Sequence, residues 1–153
     1  MNSQNLALVS MTLEGKLDKQ DKFLALQRCE NLDDSSISLL STINFKSPLT
    51  GLLLHWLLGI FGGGRFYKGD IALGVLYLVA FVLVCVCAGY DEDLFNLAFL
   101  LYIVVYGVDF YLIYKGIQKD NFQKFQNFLL FQNFSQQQKK RDNKGFLGKV
   151  LKI

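Results

Sequence analysis

One histidine, one proline, one tryptophan and three cysteines are all that this chain has of those residues, and each scarcity excludes something. His55 has no second histidine, and no Asp or Glu shares its apolar run. Neither a proton relay nor a ligand pair is assembled there, and a neutral imidazole bonded to a neighbouring helix is expected. Cys29, Cys85 and Cys87 are too few for a disulfide framework. Cys85 and Cys87 lie inside an apolar run, roughly 200° apart on a helix, so they do not converge on one metal and are read as packing residues. No nucleophile sits beside a base, and no paired carboxylates or metal ligands are evident. The expectation is therefore a protein with no enzymatic activity and no cofactor. There is also no basic residue near the start, and Leu6 to Val9 is far shorter than a signal core, so no signal peptide is predicted.

Charge is missing from three long stretches. Ser47 to Gly64 is 18 residues without a formal charge, Ile71 to Tyr90 is 20, and Leu94 to Tyr114 carries only Asp109. About 20 helical residues cross a hydrocarbon core of about 30 Å. Hydrophobic residues make up 52% of the chain and concentrate between 47 and 114, a distribution that separates a membrane protein from a soluble one with a large core. The spacing predicts membrane helices over about 49–63, over 71–88 and from 94 onward. A tight basic turn, Gly59 to Asp70, lies between the first two, and Asp91-Glu92-Asp93 forms an acidic turn before the third. The expected fold is an all-α integral membrane protein, a compact helical hairpin or three-helix membrane cluster with helical flanks.

Within this frame Gly59 and Gly63 make a small-xxx-small pair that lets a neighbouring backbone approach. Gly62-Gly63-Gly64 frees the chain to turn. It is not a phosphate-binding loop, because the Lys-Ser/Thr ending and the preceding strand are missing. Phe66 and Tyr67 are amphipathic anchors, and Arg65 and Lys68 can reach headgroups. On the third helix Tyr102, Tyr106 and Asp109 fall on one face, expected to turn inward. Asp109 lies six residues, about 9 Å, from Lys115, and a carboxylate at that depth needs a partner. Arg65 is the expected partner, by reaching inward with its long stem.

The flanks differ in charge. Residues 1–48 hold five Lys/Arg against six Asp/Glu, whereas 115–153 hold nine against two. Residues 1–45 read as a small soluble helical segment, with Leu13, Leu17 and Leu24 on a loose stripe. Asp33 or Asp34 caps a second helix whose face carries Ile37, Leu40 and Ile43, and Pro48 marks the boundary. Residues 46–116 read as the membrane domain and 117–153 as a basic amphipathic tail. Phenylalanines at 122, 125, 128, 131 and 134 open that tail, and Phe146, Leu147, Val150 and Leu151 lie on one side of its end. Such a tail suits anionic lipid headgroups; nucleic acid is the weaker reading.

Lys46-Ser47-Pro48, a short apolar helix, Gly59-x-x-Gly62-x-x-Arg65-Phe66-Tyr67-x-Gly69, Gly74 and then Val108-Asp109-Phe110 together resemble the TM-two domain, the two-transmembrane-helix domain, over about residues 46–124. Asn121-x-x-Lys124, placed after the last helix, resembles its bacterial members further. The family has Asp or His immediately before the Arg, and here that position is Gly64. The resemblance implies a multi-pass protein of the bacterial cytoplasmic membrane. Its motif and interhelical candidates are Gly59, Gly62, Arg65, Phe66, Tyr67, Gly69, Gly74, Asp109, Asn121 and Lys124.

Two functions fit these residues. One is a structural or interaction role, through contacts with the lipid bilayer, a second copy of the chain or another membrane protein. The alternative is a small oligomeric channel or transport accessory, with Asp109, His55 and the tyrosines lining a polar path. The basic tail is expected in the cytoplasm. Three full spans then put the N-terminus outside, and two spans with a re-entrant run put both termini inside. Run lengths favour three spans, and the resemblance favours two.

Overall fold

The computed structural model describes residues 3–30 and 32–150, and the side chains of all of these but residues 3, 4, 140 and 142–150. Seven α-helices and no strand occur among the described residues: α1 Ser3–Leu13, α2 Lys19–Cys29, α3 Asp34–Ser41, α4 Pro48–Leu58, α5 Gly63–Lys68, α6 Ile71–Cys87 and α7 Glu92–Val150. They divide into two units.

The first unit gathers α1, α2, α3 and α7 from Phe122 onward. Asp33 caps α3, its side chain accepting from the Ser36 N–H at 3.3 Å, and so satisfies one of the four donors that a helix start leaves open. Val9, Leu13, Ala25, Cys29, Ile37, Leu40 and Phe125 are buried. Leu24 of the expected stripe is not; it stays 40% exposed. Ser36 Oγ and Gln132 Oε1 meet at 3.0 Å inside this core, a buried polar pair that is tolerated because each satisfies the other. Burial pushes the Cys29 thiol up to about 11, which makes it an inert packing residue.

The second unit holds residues 15–18 and 45–121. Ser47 caps α4 by accepting from the Thr50 N–H at 3.3 Å, and Pro48 takes the first helical position, where a missing N–H costs nothing. α4 lasts only 11 residues. It tightens into a 3₁₀ turn, Gly59–Phe61, and stops at Gly62, whose φ of 77° is left-handed. The stretch expected as a basic turn is instead a helix, α5. It closes at Gly69, with φ 108°, whose N–H bonds back to the carbonyls of Arg65 and Phe66. α6 is a 17-residue apolar helix. Asp91 caps α7 through the Leu94 N–H at 2.9 Å, so this helix starts two residues earlier than expected.

Three expectations change here. Among the described residues one helix, α7, is long and apolar enough to cross a membrane by itself, while Pro48–Phe61 and Ile71–Cys87 are shorter apolar helices. The first run does not form one helix to Gly63, because three consecutive glycines and a left-handed Gly62 break it. And Asn121 and Lys124 do not follow the last helix but lie within it: Gly116 fails to end α7, which continues for 59 residues in all. The amphipathic set Phe146, Leu147, Val150 and Leu151 expected at the tail's end lies outside the described side chains.

Candidate functional site

α4, α5, α6 and α7 converge on one buried ion cluster. Arg65 of α5 reaches Asp109 of α7 with both arms of its fork: Nε donates to Oδ2 at 3.0 Å, and Nη2 donates to Oδ1. Arg65 and Asp109 are 8% and 2% exposed, so two charges are held away from water only because each neutralises the other in bidentate geometry. Arg65 also donates through Nη1 to Asp70 Oδ2 at 3.0 Å. Lys68 Nζ lies 2.8 Å from that same oxygen and 3.4 Å from Asp120. Burial alone would raise the Asp70 carboxyl, but hydrogen bonds from Lys68 and Arg65 outweigh it and hold it below the usual carboxylate range. Asp70 therefore shares Arg65 with Asp109.

Tyr102 and Tyr106 bond backbone carbonyls rather than the carboxylate, which Tyr77 of α6 reaches instead. Tyr106 Oη donates to the His55 carbonyl at 3.0 Å and lies 3.3 Å from that of Trp56. Tyr102 Oη donates to the Ile60 carbonyl at 2.6 Å. His55 and Trp56 lie in the last turn of α4 and Ile60 in the 3₁₀ turn that follows, where a helix end leaves carbonyls in need of outside partners. Two phenols on one face of α7 thus supply partners where α4 ends. At the other end, Lys46 Nζ caps α5 through the carbonyls of Tyr67 and Lys68 at 2.8 and 2.9 Å.

The glycines set the spacing. A Cβ at Gly62 would fall 2.7 Å from the Gly74 carbonyl oxygen, and one at Gly74 would fall 2.6 Å from the Phe66 ring. Gly62 therefore makes a close backbone approach to Gly74. Of the expected pair, Gly59 admits the Tyr106 ring, whereas Gly63 does lie against a neighbouring backbone: a Cβ there would come within 3.1 Å of the Leu54 and Leu58 carbonyl oxygens of α4. At Gly64 a Cβ would meet His55 and Ile113 at 2.6 and 2.7 Å. The acid or histidine side chain that the family resemblance leads one to expect at this position has no room, because His55 occupies the space.

Of the remaining candidates, Tyr67 Oη accepts from the Ser47 N–H at 3.1 Å, and its ring lies 5.7 Å from Lys46 Nζ. Asn121 uses its whole amide: Oδ1 accepts from the Lys46 N–H at 3.0 Å, and Nδ2 donates to the carbonyls of Lys46 and Lys16 at 2.7 and 2.9 Å. Lys124 belongs to the first unit and donates to the Asn44 carbonyl at 2.9 Å. Sequence reasoning missed Gly51 and Gly116, which make room for Ile117 and Lys68, and the capping role of Lys46. A glycine inside a long helical run, as at Gly116, was the available signal.

Residues 44–90 match the family of the TM2 domain. No curated protein and no solved structure matches the chain. The match stops before Asp109, Asn121 and Lys124, which are tied to the matched segment by geometry: Asp109 through Arg65, Asn121 through Lys46, and Lys124 through Asn44, the first matched residue.

Proposed function

With the TM2 domain of residues 44–90 as premise, we propose that this membrane protein is a multi-pass, non-enzymatic module that acts by docking: it holds a rigid helical face against lipid, a second copy or another membrane protein. The observation that carries this reading is the internal engagement of the guanidinium and the phenols of the polar cluster. Arg65 is engaged by Asp109 and Asp70, and the phenols are engaged by backbone carbonyls. Meanwhile α6 and the apolar part of α7 turn Leu76, Val82, Leu83, Leu97, Leu100 and Leu101 outward. Catalysis needs a nucleophile, base or ligand set that is free to act on a substrate; here the guanidinium and the phenols are engaged within the chain.

In this reading α6, about 25 Å long at 1.5 Å per residue, and the apolar part of α7 form the two spans. α4 and α5 form a re-entrant pair, supported by the bonds that bring its two ends to one level: Ser47 to Tyr67, and Lys46 to Tyr67 and Lys68. Both termini then face the cytoplasm with the basic tail, which is retained inside and meets anionic headgroups. The bacterial cytoplasmic membrane is proposed on the Asn121-x-x-Lys124 pattern.

The test is ion and proton flux in proteoliposomes holding native protein or the Asp109→Asn variant. Docking requires no flux above empty vesicles from either. Flux from native protein that Asp109→Asn abolishes would replace this reading with the channel or transport accessory.

A further inference from the structure

His55 is fully buried, and its neighbours fix its tautomer. Nε2 lies 3.3 Å from the carbonyl of Tyr106, and a carbonyl only accepts, so Nε2 carries the proton. Nδ1 is then a bare lone pair without a hydrogen-bond partner. It faces Oδ2 of Asp109 at 4.0 Å, and an ionised carboxylate also only accepts. Two acceptors point at each other inside a buried site. A proton is the ligand that converts that contact into an attraction.

Among the described residues no donor lies within hydrogen-bond range of Nδ1. The 3₁₀ turn contributes Gly59, where a Cβ would already come within 2.9 Å of Nδ1. α5 contributes Gly64 and Arg65, whose guanidinium is directed to Asp109 and Asp70. α6 contributes the Tyr77 ring, edge-on at 6.3 Å, with its hydroxyl 3.5 Å from the Val105 carbonyl. α7 contributes Tyr106, stacked at 4.6 Å, Phe110, edge-on at 4.6 Å, and Asp109. The titratable or charged groups facing the imidazole are thus Asp109, Arg65, Tyr77 and Tyr106; Tyr77 is itself tied to Asp109, and Asp109 Oδ2, at 4.0 Å, is the acceptor set opposite Nδ1.

We propose that His55 and Asp109 form a proton-binding pair, in which acid places a proton on His55 Nδ1 and shares it with Asp109 Oδ2. That oxygen is the one that accepts from Arg65 Nε at 3.0 Å. Uptake therefore sets His55 and Arg65 in competition for one carboxylate, and couples proton activity to the seating of α5 on α7. One N–H bond forms, the proton comes from solvent, and no electrons move. The pair binds a proton without passing it across the bilayer, so the inference stands or falls separately from the flux test.

His55 is the sole histidine and Trp56 the sole tryptophan, so each gives a single-site signal in the full chain. The experiment follows the imidazole nitrogens by NMR and Trp56 emission in nanodiscs, from about pH 8 to about pH 4, a range that brackets an ordinary histidine. The expected result is an Nε2–H imidazole at neutral pH that takes a second proton, with Trp56 emission moving at the same midpoint. In Asp109→Asn the midpoint falls by about one unit or more, the loss of an opposite charge at this distance. Asp109→Glu, which keeps the charge but moves it, shifts the midpoint less and serves if the amide variant does not fold. His55→Gln removes the pH response of Trp56. An imidazole that stays neutral to the end of the titration, an Nδ1–H tautomer at neutral pH, or a midpoint indifferent to position 109 would overturn the proposal.

Discussion

Tyr106 and His55 hold each other twice: the phenol of Tyr106 donates to the His55 carbonyl at 3.0 Å, while the His55 Nε2–H donates to the Tyr106 carbonyl at 3.3 Å. The pair ties the end of α4 to α7 by a side chain from each helix, with the two rings stacked at 4.6 Å. It also leaves a definite signature. Tyr106→Phe keeps the ring and strands the His55 carbonyl, so the protein in detergent should lose about 1–3 kcal/mol of stability, the cost of an unsatisfied buried acceptor. Tyr102→Phe should act alike through the Ile60 carbonyl. Thermal melts of the two variants check this; unchanged melting would mean that these carbonyls find other partners.

Glycine substitutions should divide sharply by position. Gly62→Ala meets both a left-handed φ of 77° and the Gly74 backbone at 2.7 Å, and Gly74→Ala meets the Phe66 ring at 2.6 Å. Both should reduce folded yield. A Cβ at Gly107 would meet nothing within 4 Å, so Gly107→Ala should be neutral, or stabilising by up to about 1 kcal/mol as helix propensity suggests. Equal losses at all three sites would show that these glycines do not set the helix spacing.

How much of this is visible in the sequence depends on the kind of contact. The caps at Ser47 and Asp33 are legible because capping is local: a short polar side chain before an apolar run specifies it within four residues. The inward face of Tyr102, Tyr106 and Asp109 follows from helical periodicity, and the Arg65–Asp109 contact follows from the cost of leaving a buried carboxylate alone. What the tyrosines bond is not legible. Their acceptors are backbone carbonyls 42 to 51 residues away, exposed only because α4 stops early, and side-chain identity does not encode where a neighbouring helix ends. The break itself is hidden from a count of uncharged residues: that count measures hydropathy, whereas the left-handed conformation at Gly62 decides geometry. Gly116 reads as a boundary in the sequence, although it lets Lys68 lie against an unbroken helix.

Topology separates the two span counts. With α4 and α5 re-entrant, reporter fusions at residues 1 and 153 should lie on the cytoplasmic side and a fusion at 92 on the other. An external N-terminus with an internal C-terminus would restore three full spans, and an external C-terminus would contradict both arrangements. The re-entrant outcome is expected because α4 runs for 11 residues, about 16 Å at 1.5 Å per residue, roughly half of a hydrocarbon core of about 30 Å.

The strongest test of the cluster is a double-mutant cycle on Arg65 and Asp109. Asp109→Asn leaves the Arg65 guanidinium, 8% exposed, with Asp70 as its remaining acid, and Arg65→Gln leaves Asp109 facing the lone pair of His55. Each single variant thus strands a buried charge, at a cost of about 3–5 kcal/mol. The double variant removes both charges, so its loss should be smaller than the sum of the singles by at least about 1 kcal/mol. The two singles should not be equal. Asp70 still balances Arg65 when Asp109 is gone, whereas nothing comparable reaches Asp109 when Arg65 is gone, so Arg65→Gln should be the more damaging. Adding Asp70→Asn to Asp109→Asn should then remove that difference. Melting temperatures and folded yields of the singles and both doubles in detergent decide the matter. Strictly additive losses would mean that the two charges are stabilised independently, and a milder Arg65→Gln would mean that Asp70 contributes little to holding Arg65.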